Sequence, residues 1–204
     1  MTTNFGKISI KQKTGEEQLT LSDRETGLKL IDFWRWSVSD IISNATRGRF
    51  AEFIVASSLN IDLTIIRDEW GPYDLESPEG IKIEVKSASY LQTWNQRDYS
   101  KISFSIKASI FWDSETFTQS EPKRHANIYV FCLLKHKDQV TLDPIKLDQW
   151  EFYVVSTSVL NNYKRSKSSI TLKSLQNLTP SVTYDHLRQA ILDQHSLSEP
   201  STSH

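Results

Sequence analysis

Residues 74–86 constrain the fold most: Asp74-Leu75-Glu76-Ser77-Pro78-Glu79-Gly80-Ile81-Lys82-Ile83-Glu84-Val85-Lys86. Polar and apolar residues alternate on both sides of Pro78-Glu79-Gly80, the period-2 pattern of strands with one buried face. The break suits a three-residue hairpin loop. Proline fits the first turn position, and glycine accepts the left-handed conformation of the bulge. With that loop Ser77 faces Ile81, Glu76 faces Lys82, Leu75 faces Ile83 and Asp74 faces Glu84. Opposed side chains share a face with their Cβ atoms roughly 5 Å apart. Lys86, two residues beyond Glu84, joins that face, while Leu75, Ile81, Ile83 and Val85 turn into a core. A loop one residue longer or shorter would destroy the alignment.

Two opposed carboxylates raise each other's proton affinity unless a cation lies between them. A lysine balances one charge; a divalent ion balances both. Mg²⁺ takes carboxylate, water and phosphate oxygens. It also helps to generate hydroxide from bound water. Lys86 is placed to orient that water or to stabilise charge developing on a phosphate. The carbonyl of Val85, between the two functional side chains, is a further candidate ligand. The acid-x-Lys triplet alone is weak, since composition yields about two in such a chain. It occurs at Glu84-Val85-Lys86 and at Glu121-Pro122-Lys123, the latter in a polar, Pro-containing loop. The alternative for the hairpin trio is an exposed ion-pair face worth about 0.2–1 kcal/mol.

Around this ribbon the chain divides simply. Residues 1–22 form a polar, irregular arm with a short strand over 7–11. Ser22-Asp23-Arg24-Glu25 matches a capping box and predicts a helix from there to about residue 43. Leu30, Phe33, Trp34, Val38, Ile41 and Ile42 recur along it near helical spacing. A second helix is expected over 47–59. Strands are expected over 63–67, 101–107, 127–134 and 150–157. The run 127–134 is apolar throughout, as in a central strand. Helices follow over 156–164 and 184–195, then a polar tail over 196–204. Most of the six tryptophans, Trp34 and Trp36 included, are expected in the core. Helices, then strands, then helices predict one domain over 23–195, either α+β or mixed α/β.

Several function classes drop out. No apolar run approaches the roughly 18 residues that cross a bilayer. The N-terminus lacks the apolar region of a secretory signal. Cys132 is the single cysteine, which excludes a disulfide framework and multi-cysteine zinc sites. Its apolar strand marks it as a small core residue. No Gly-rich phosphate loop is present, so no nucleotide cofactor is expected. These features predict a soluble, cytoplasmic protein. Net charge is −1, yet residues 123–173 hold nine Lys/Arg against four acids, leaving the remainder at −6. A cationic face beside an acidic site and ordinary solvated lysines are both compatible with this asymmetry.

Pro72-Tyr73-Asp74, nine intervening residues and Glu84-Val85-Lys86 resemble the PD-(D/E)xK nuclease signature of restriction-endonuclease-like folds. One departure is Tyr73, which separates proline and aspartate. The family also tends to carry an acid on a helix preceding the sheet, and Gly48-Arg49-Phe50-Ala51-Glu52 supplies Glu52 at the matching place. The resemblance spans about residues 45–135, and the run 84–94 is similar to small members from bacteria and their mobile elements. It implies a mixed central β-sheet flanked by α-helices. It also implies Mg²⁺-dependent cleavage of DNA, with Mn²⁺ as substitute, in restriction, defence or repair. Asp74, Glu84, Glu52 and the Val85 carbonyl would hold the metal, and Lys86 would organise the water. Ser87, Gln92, Gln96, Arg47, Arg49, Lys123 and Arg124 are candidates to contact substrate or support the site. Ordinary polarity explains Gln92, Gln96, Arg47 and Arg49 equally well, Ser87 also fits as the end of the strand, and Lys123 and Arg124 fit a phosphate-contact loop. A homodimer would supply the two active sites needed to cut both strands of a duplex in one encounter. The rival reading is a non-catalytic nucleic-acid-binding or assembly module on the same fold.

Overall fold

A computed structural model describes residues 5–6, 8–113 and 117–198. The elements run β1 (Gln18–Leu21), β2 (Arg24–Lys29), α1 (Leu30–Val38), α2 (Asn44–Ser58), β3 (Leu75–Glu76), β4 (Lys82–Ser89), β5 (Ser103–Ser105), β6 (Trp112–Asp113), β7 (Thr118–Gln119), β8 (Ile128–Leu134), β9 (Trp150–Ser156), α3 (Thr157–Asn162), β10 (Ser169–Thr171), α4 (Leu172–Gln176), β11 (Ser181–Val182) and α5 (Tyr184–Ser196). The central sheet has the order β11-β9-β8-β4-β3. Only β4 and β8 pair parallel within it; the other pairings are antiparallel.

Strand alternation sorts the sheet into two cores. Ile83, Val85, Ile128, Val130, Cys132 and Phe152 lie on one face, packed with Ala51, Ile54 and Val55 of α2 and with Leu187 and Ile191 of α5. Ala88, Tyr129, Phe131, Leu133, Tyr153 and Val155 lie on the other, packed with Phe104 of β5, Ile170 of β10, Leu160 of α3 and Leu175 of α4. β8 is hydrogen-bonded on both edges and buried on both faces, which is why its sequence is apolar without interruption. The result is an α/β fold with a mixed five-strand sheet between helices, compatible with a restriction-endonuclease-like architecture. No helix among the described residues is long and apolar enough to cross a membrane.

Three local expectations are corrected. Ser22 and Asp23 are not a helix start. Both adopt left-handed φ, 50° and 63°, and close the β1–β2 hairpin as a two-residue turn. The helix begins at Leu30, where the Lys29 N–H donates to Asp32 Oδ2 at 2.9 Å. That hairpin also places a strand at the end of the expected irregular arm. Of the strand expected over 7–11, residue 7 lies outside the described residues and 8–11 are irregular. Second, residues 63–67 are not a strand, because Asp62 folds them back. Its Oδ1 accepts from Thr64 N at 2.9 Å and Thr64 Oγ1 at 2.7 Å. Third, Trp150 is 1% exposed, whereas Trp36 is 84% and Trp70 86% exposed. The apolar residues of α1 have no core to enter, and none of that helix is buried.

Candidate active site

The ribbon formed by β3 and β4 has the register that its loop demands. Leu75 pairs with Ile83 and Glu76 with Lys82. The Ser77 N–H donates to Ile81 O at 3.0 Å, and Gly80 takes φ +79°. One residue before β3, the Asp74 N–H donates to Ile83 O at 3.1 Å. Ile83 and Val85 enter the α2 side of the core, so Glu84 and Lys86 project from the opposite face. There Lys86 Nζ donates to Glu84 Oε1 at 2.5 Å, with both side chains about a quarter exposed.

Asp74 bridges the two faces through the sheet edge. Its Oδ2 accepts a hydrogen bond from Val85 N–H at 2.8 Å. A strand N–H lies in the plane of its sheet, so the carboxylate sits beside the β4 edge just where β3 departs. The N–H and carbonyl of one strand residue point to the same edge, so the Val85 carbonyl faces this side too. A cation there could meet Asp74, Glu84 and that carbonyl.

Electrostatics at the edge are crowded. Burial raises the proton affinity of Glu84, the Asp74 charge raises it further, and Lys86 opposes both. Burial does the same to Glu52, which is 9% exposed on α2 among core residues. Its Arg67 partner lowers the proton affinity and the Asp74 charge raises it. The Tyr129 phenol, beside Glu84 across the parallel pair, holds its proton more tightly through burial and then through the Glu84 charge. Glu52 and Glu84 thus both feel the Asp74 charge, the condition that a bound cation relieves.

Arg67, which sequence patterning did not single out, stands at the centre of this charge. Its Nε donates to Glu52 Oε2, its Nη2 to Glu52 Oε1 at 3.2 Å and its Nη1 to Glu69 Oε2 at 2.6 Å. Nη2 also lies 4.0 Å from Asp74 Oδ1. The only sequence signal for it is a lone basic residue at the end of the 63–67 segment. With Glu52 committed to Arg67 and Glu84 to Lys86, no three His, Cys, Asp or Glu among the described residues form a ready metal cage. The donors are nonetheless hard oxygens of the kind Mg²⁺ takes, two carboxylates and a carbonyl at one edge with a third carboxylate across it.

A cavity of about 630 Å³ opens beside this edge, lined by Glu52, Arg67, Asp74, Phe53, Ile66 and Tyr73 among others. Asp74 is the one member of the hairpin trio that reaches it. Glu84 and Lys86 lie on the far side of the sheet edge, so Asp74 links the cavity to the trio.

The remaining candidates divide. Arg47 is not solvated: it is 3% exposed and donates to Ile42 O at 2.7 Å, Asn44 Oδ1 at 2.6 Å and Gln92 Oε1 at 3.3 Å. Gln92 and Gln96 bind one another and the loop around them. Gln96 Oε1 accepts from Gln92 N at 2.7 Å, and both side-chain amides donate to Ser100 Oγ. Three residues expected near substrate therefore form one scaffold that ties the start of α2 to the loop after β4. Ser87 shares the Val85 face by alternation, opposite Lys86, and the strand continues past it to Ser89. Arg49 is exposed at the cavity and reaches Glu69 at 3.4 Å. Arg124 donates to Ile106 O at 3.0 Å and Asn161 Oδ1 at 2.6 Å. Lys123 bridges Ser109 through backbone bonds, leaving its side chain on an exposed loop.

The sequence model of the bacteriophage T4 endonuclease IV family matches residues 4–174, from the N-terminal segment into α4. The chain belongs to the bacteriophage T4 endonuclease IV family. The match to this endonuclease family takes in Glu52, Arg67, Asp74, Glu84 and Lys86, and with them the whole β3–β4 ribbon and its edge. The chain is therefore placed in a nuclease family, in the part of the fold that carries the acidic edge. A comparison with curated proteins finds none that matches.

Proposed function

We propose that this chain is a metal-dependent endodeoxyribonuclease of the PD-(D/E)xK type. The observation that carries the reading is Asp74 on the Val85 amide beside the Glu84–Lys86 pair, in a chain of an endonuclease family. Asp74, Glu84 and the Val85 carbonyl would hold Mg²⁺ or Mn²⁺, with Glu52 completing the set once it leaves Arg67. When bound, the ion supplies Lewis-acid polarisation of the phosphodiester and a more acidic water.

The chain's own groups do the rest. Glu84 holds Lys86 where its ammonium can donate to the attacking water or to a non-bridging phosphate oxygen. Asp74, fixed by the Val85 N–H, keeps its free oxygen directed away from the strand. The cavity beside Asp74 admits a nucleotide to the edge. DNA is the substrate we infer, and restriction, defence or repair the setting. A homodimer would present two such edges to the two strands of a duplex.

Incubation of supercoiled plasmid and of oligonucleotides with the protein tests this. Cleavage is expected with Mg²⁺ or Mn²⁺, lost with chelator and lost in Lys86→Ala. Salt-sensitive binding without cleavage under either metal would replace the nuclease reading by the non-catalytic binding module.

A further inference from the structure

Arg67 stands where the proposed metal site requires a different cation. Three carboxylates from separate parts of the chain share its guanidinium: Glu52 on α2, Glu69 on the following loop and Asp74 at the ribbon edge. Both oxygens of Glu52 face it in a bidentate fork. An ion seated against Asp74 and drawing in Glu52 would share its oxygens with the guanidinium, and two cations on one carboxylate repel, so the ion competes with Arg67.

The competition has somewhere to go. Arg67 is only partly buried and lines the cavity together with Asp74 and Arg49. Its planar fork of donors matches phosphate as well as carboxylate. While three acids surround it, the guanidinium offers little net attraction to an anion. Freed from Glu52 and Asp74 by an ion that takes up their charge, it keeps only Glu69 on Nη1, a carboxylate shared with Arg49, and its Nε and Nη2 donors are open to an anion.

We propose, resting on the metal-site reading of this edge, that Arg67 is a resident counter-cation that a divalent metal displaces, and that the released guanidinium then holds a phosphate oxygen of the substrate in the cavity. Metal binding and substrate binding are thereby coupled through one side chain, and Arg67 is a binding residue only after the ion has entered.

Two measurements test it. Free Mn²⁺ is titrated by electron paramagnetic resonance against the wild type, Arg67→Ala and Asp74→Asn. Binding of a fluorescent DNA oligonucleotide is measured with and without Mn²⁺ on the uncleaving Lys86→Ala background, with Arg67 intact or replaced by alanine. Removing the competitor is expected to tighten Mn²⁺ binding about tenfold, while Asp74→Asn weakens it. Oligonucleotide affinity is expected to fall about tenfold in Mn²⁺ and to stay unchanged without it. Equal or weaker Mn²⁺ binding by Arg67→Ala overturns the proposal, as does an equal loss of oligonucleotide affinity with and without metal. Should Arg67→Ala fail to fold, Arg67→Lys keeps the charge but not the fork, and a gain in Mn²⁺ affinity of about threefold is expected; no gain overturns it. No Mn²⁺ uptake by the wild type and variant alike sinks the metal-site reading itself, whereas uptake by the wild type without gain in the variant sinks this inference alone.

Discussion

Asp74 Oδ2 accepts the Val85 N–H at 2.8 Å, so the edge of β4 is completed by a side chain instead of a neighbouring strand. One carboxylate therefore has two duties, a structural one through Oδ2 and a proposed ligand duty through Oδ1. Substitutions separate them. Asp74→Asn keeps an oxygen acceptor and is expected to fold like the wild type while losing at least about a hundredfold in cleavage rate. Asp74→Ala loses the acceptor too and is expected to cost about 1–2 kcal/mol more in urea unfolding. Equal stability of the two variants would show that the Val85 bond carries no weight.

Burial and Asp74 raise the proton affinity of Glu84 above its ordinary value of 4.5. A folded-state value above the unfolded one means that the native protein binds the proton more tightly. That contribution to stability is complete below the unfolded value and is lost as pH rises through the folded one. Glu84→Gln removes it. The melting temperature of the variant is expected to gain on the wild type as pH rises from about 4 to about 8. Thermal melts across that range in chelator check this, and a difference independent of pH would contradict it. Added Mn²⁺ is expected to raise the wild-type melting temperature and leave that of Glu84→Gln nearly unchanged.

Gly80 takes φ +79°, and an added Cβ there would meet nothing within 4 Å. Gly80→Ala is thus a purely conformational change, expected to cost about 1–2 kcal/mol and to leave cleavage intact. One alanine inserted after Glu79 changes the register instead. It sends Glu84 and Lys86 toward the core or breaks the ribbon, and loss of both stability and activity is expected. Circular dichroism melts and plasmid cleavage distinguish the two variants.

Arg47 and Arg49 lie two positions apart on α2 and answer to different forces. Arg47 is buried on Ile42, Asn44 and Gln92, so Arg47→Ala is expected to cost about 1–3 kcal/mol of stability and leave the salt dependence of DNA binding alone. Arg49 is exposed at the cavity, and Arg49→Ala is expected to leave stability alone and reduce the salt slope by about 0.9. Fluorescence anisotropy at several salt concentrations, beside urea melts, reads both.

Whatever depended on near neighbours was visible before any fold existed. The alternation around Pro78-Glu79-Gly80 determined the ribbon register, because a strand exposes its side chains with period two and a tight loop leaves one pairing. The unbroken apolar run of β8 likewise announced a strand covered on both faces. The same kind of pattern misled at residues 63–67, where a single Asp62 side chain outcompetes extended backbone, and at Ser22, where two left-handed residues make a turn from letters that also spell a helix cap.

Folding alone settled which charges meet. Arg67 lies 15 residues from Glu52 along the chain, and Arg47 lies 45 from Gln92. No periodicity links such positions, since their contact depends on how α2 packs against the sheet. Packing buried Arg47 at the start of α2 and brought Arg67 to the acidic edge, because a buried charge must find partners wherever the fold supplies them. Strand period is a property of the backbone and can be read locally; charge pairing across elements is a property of the assembled core.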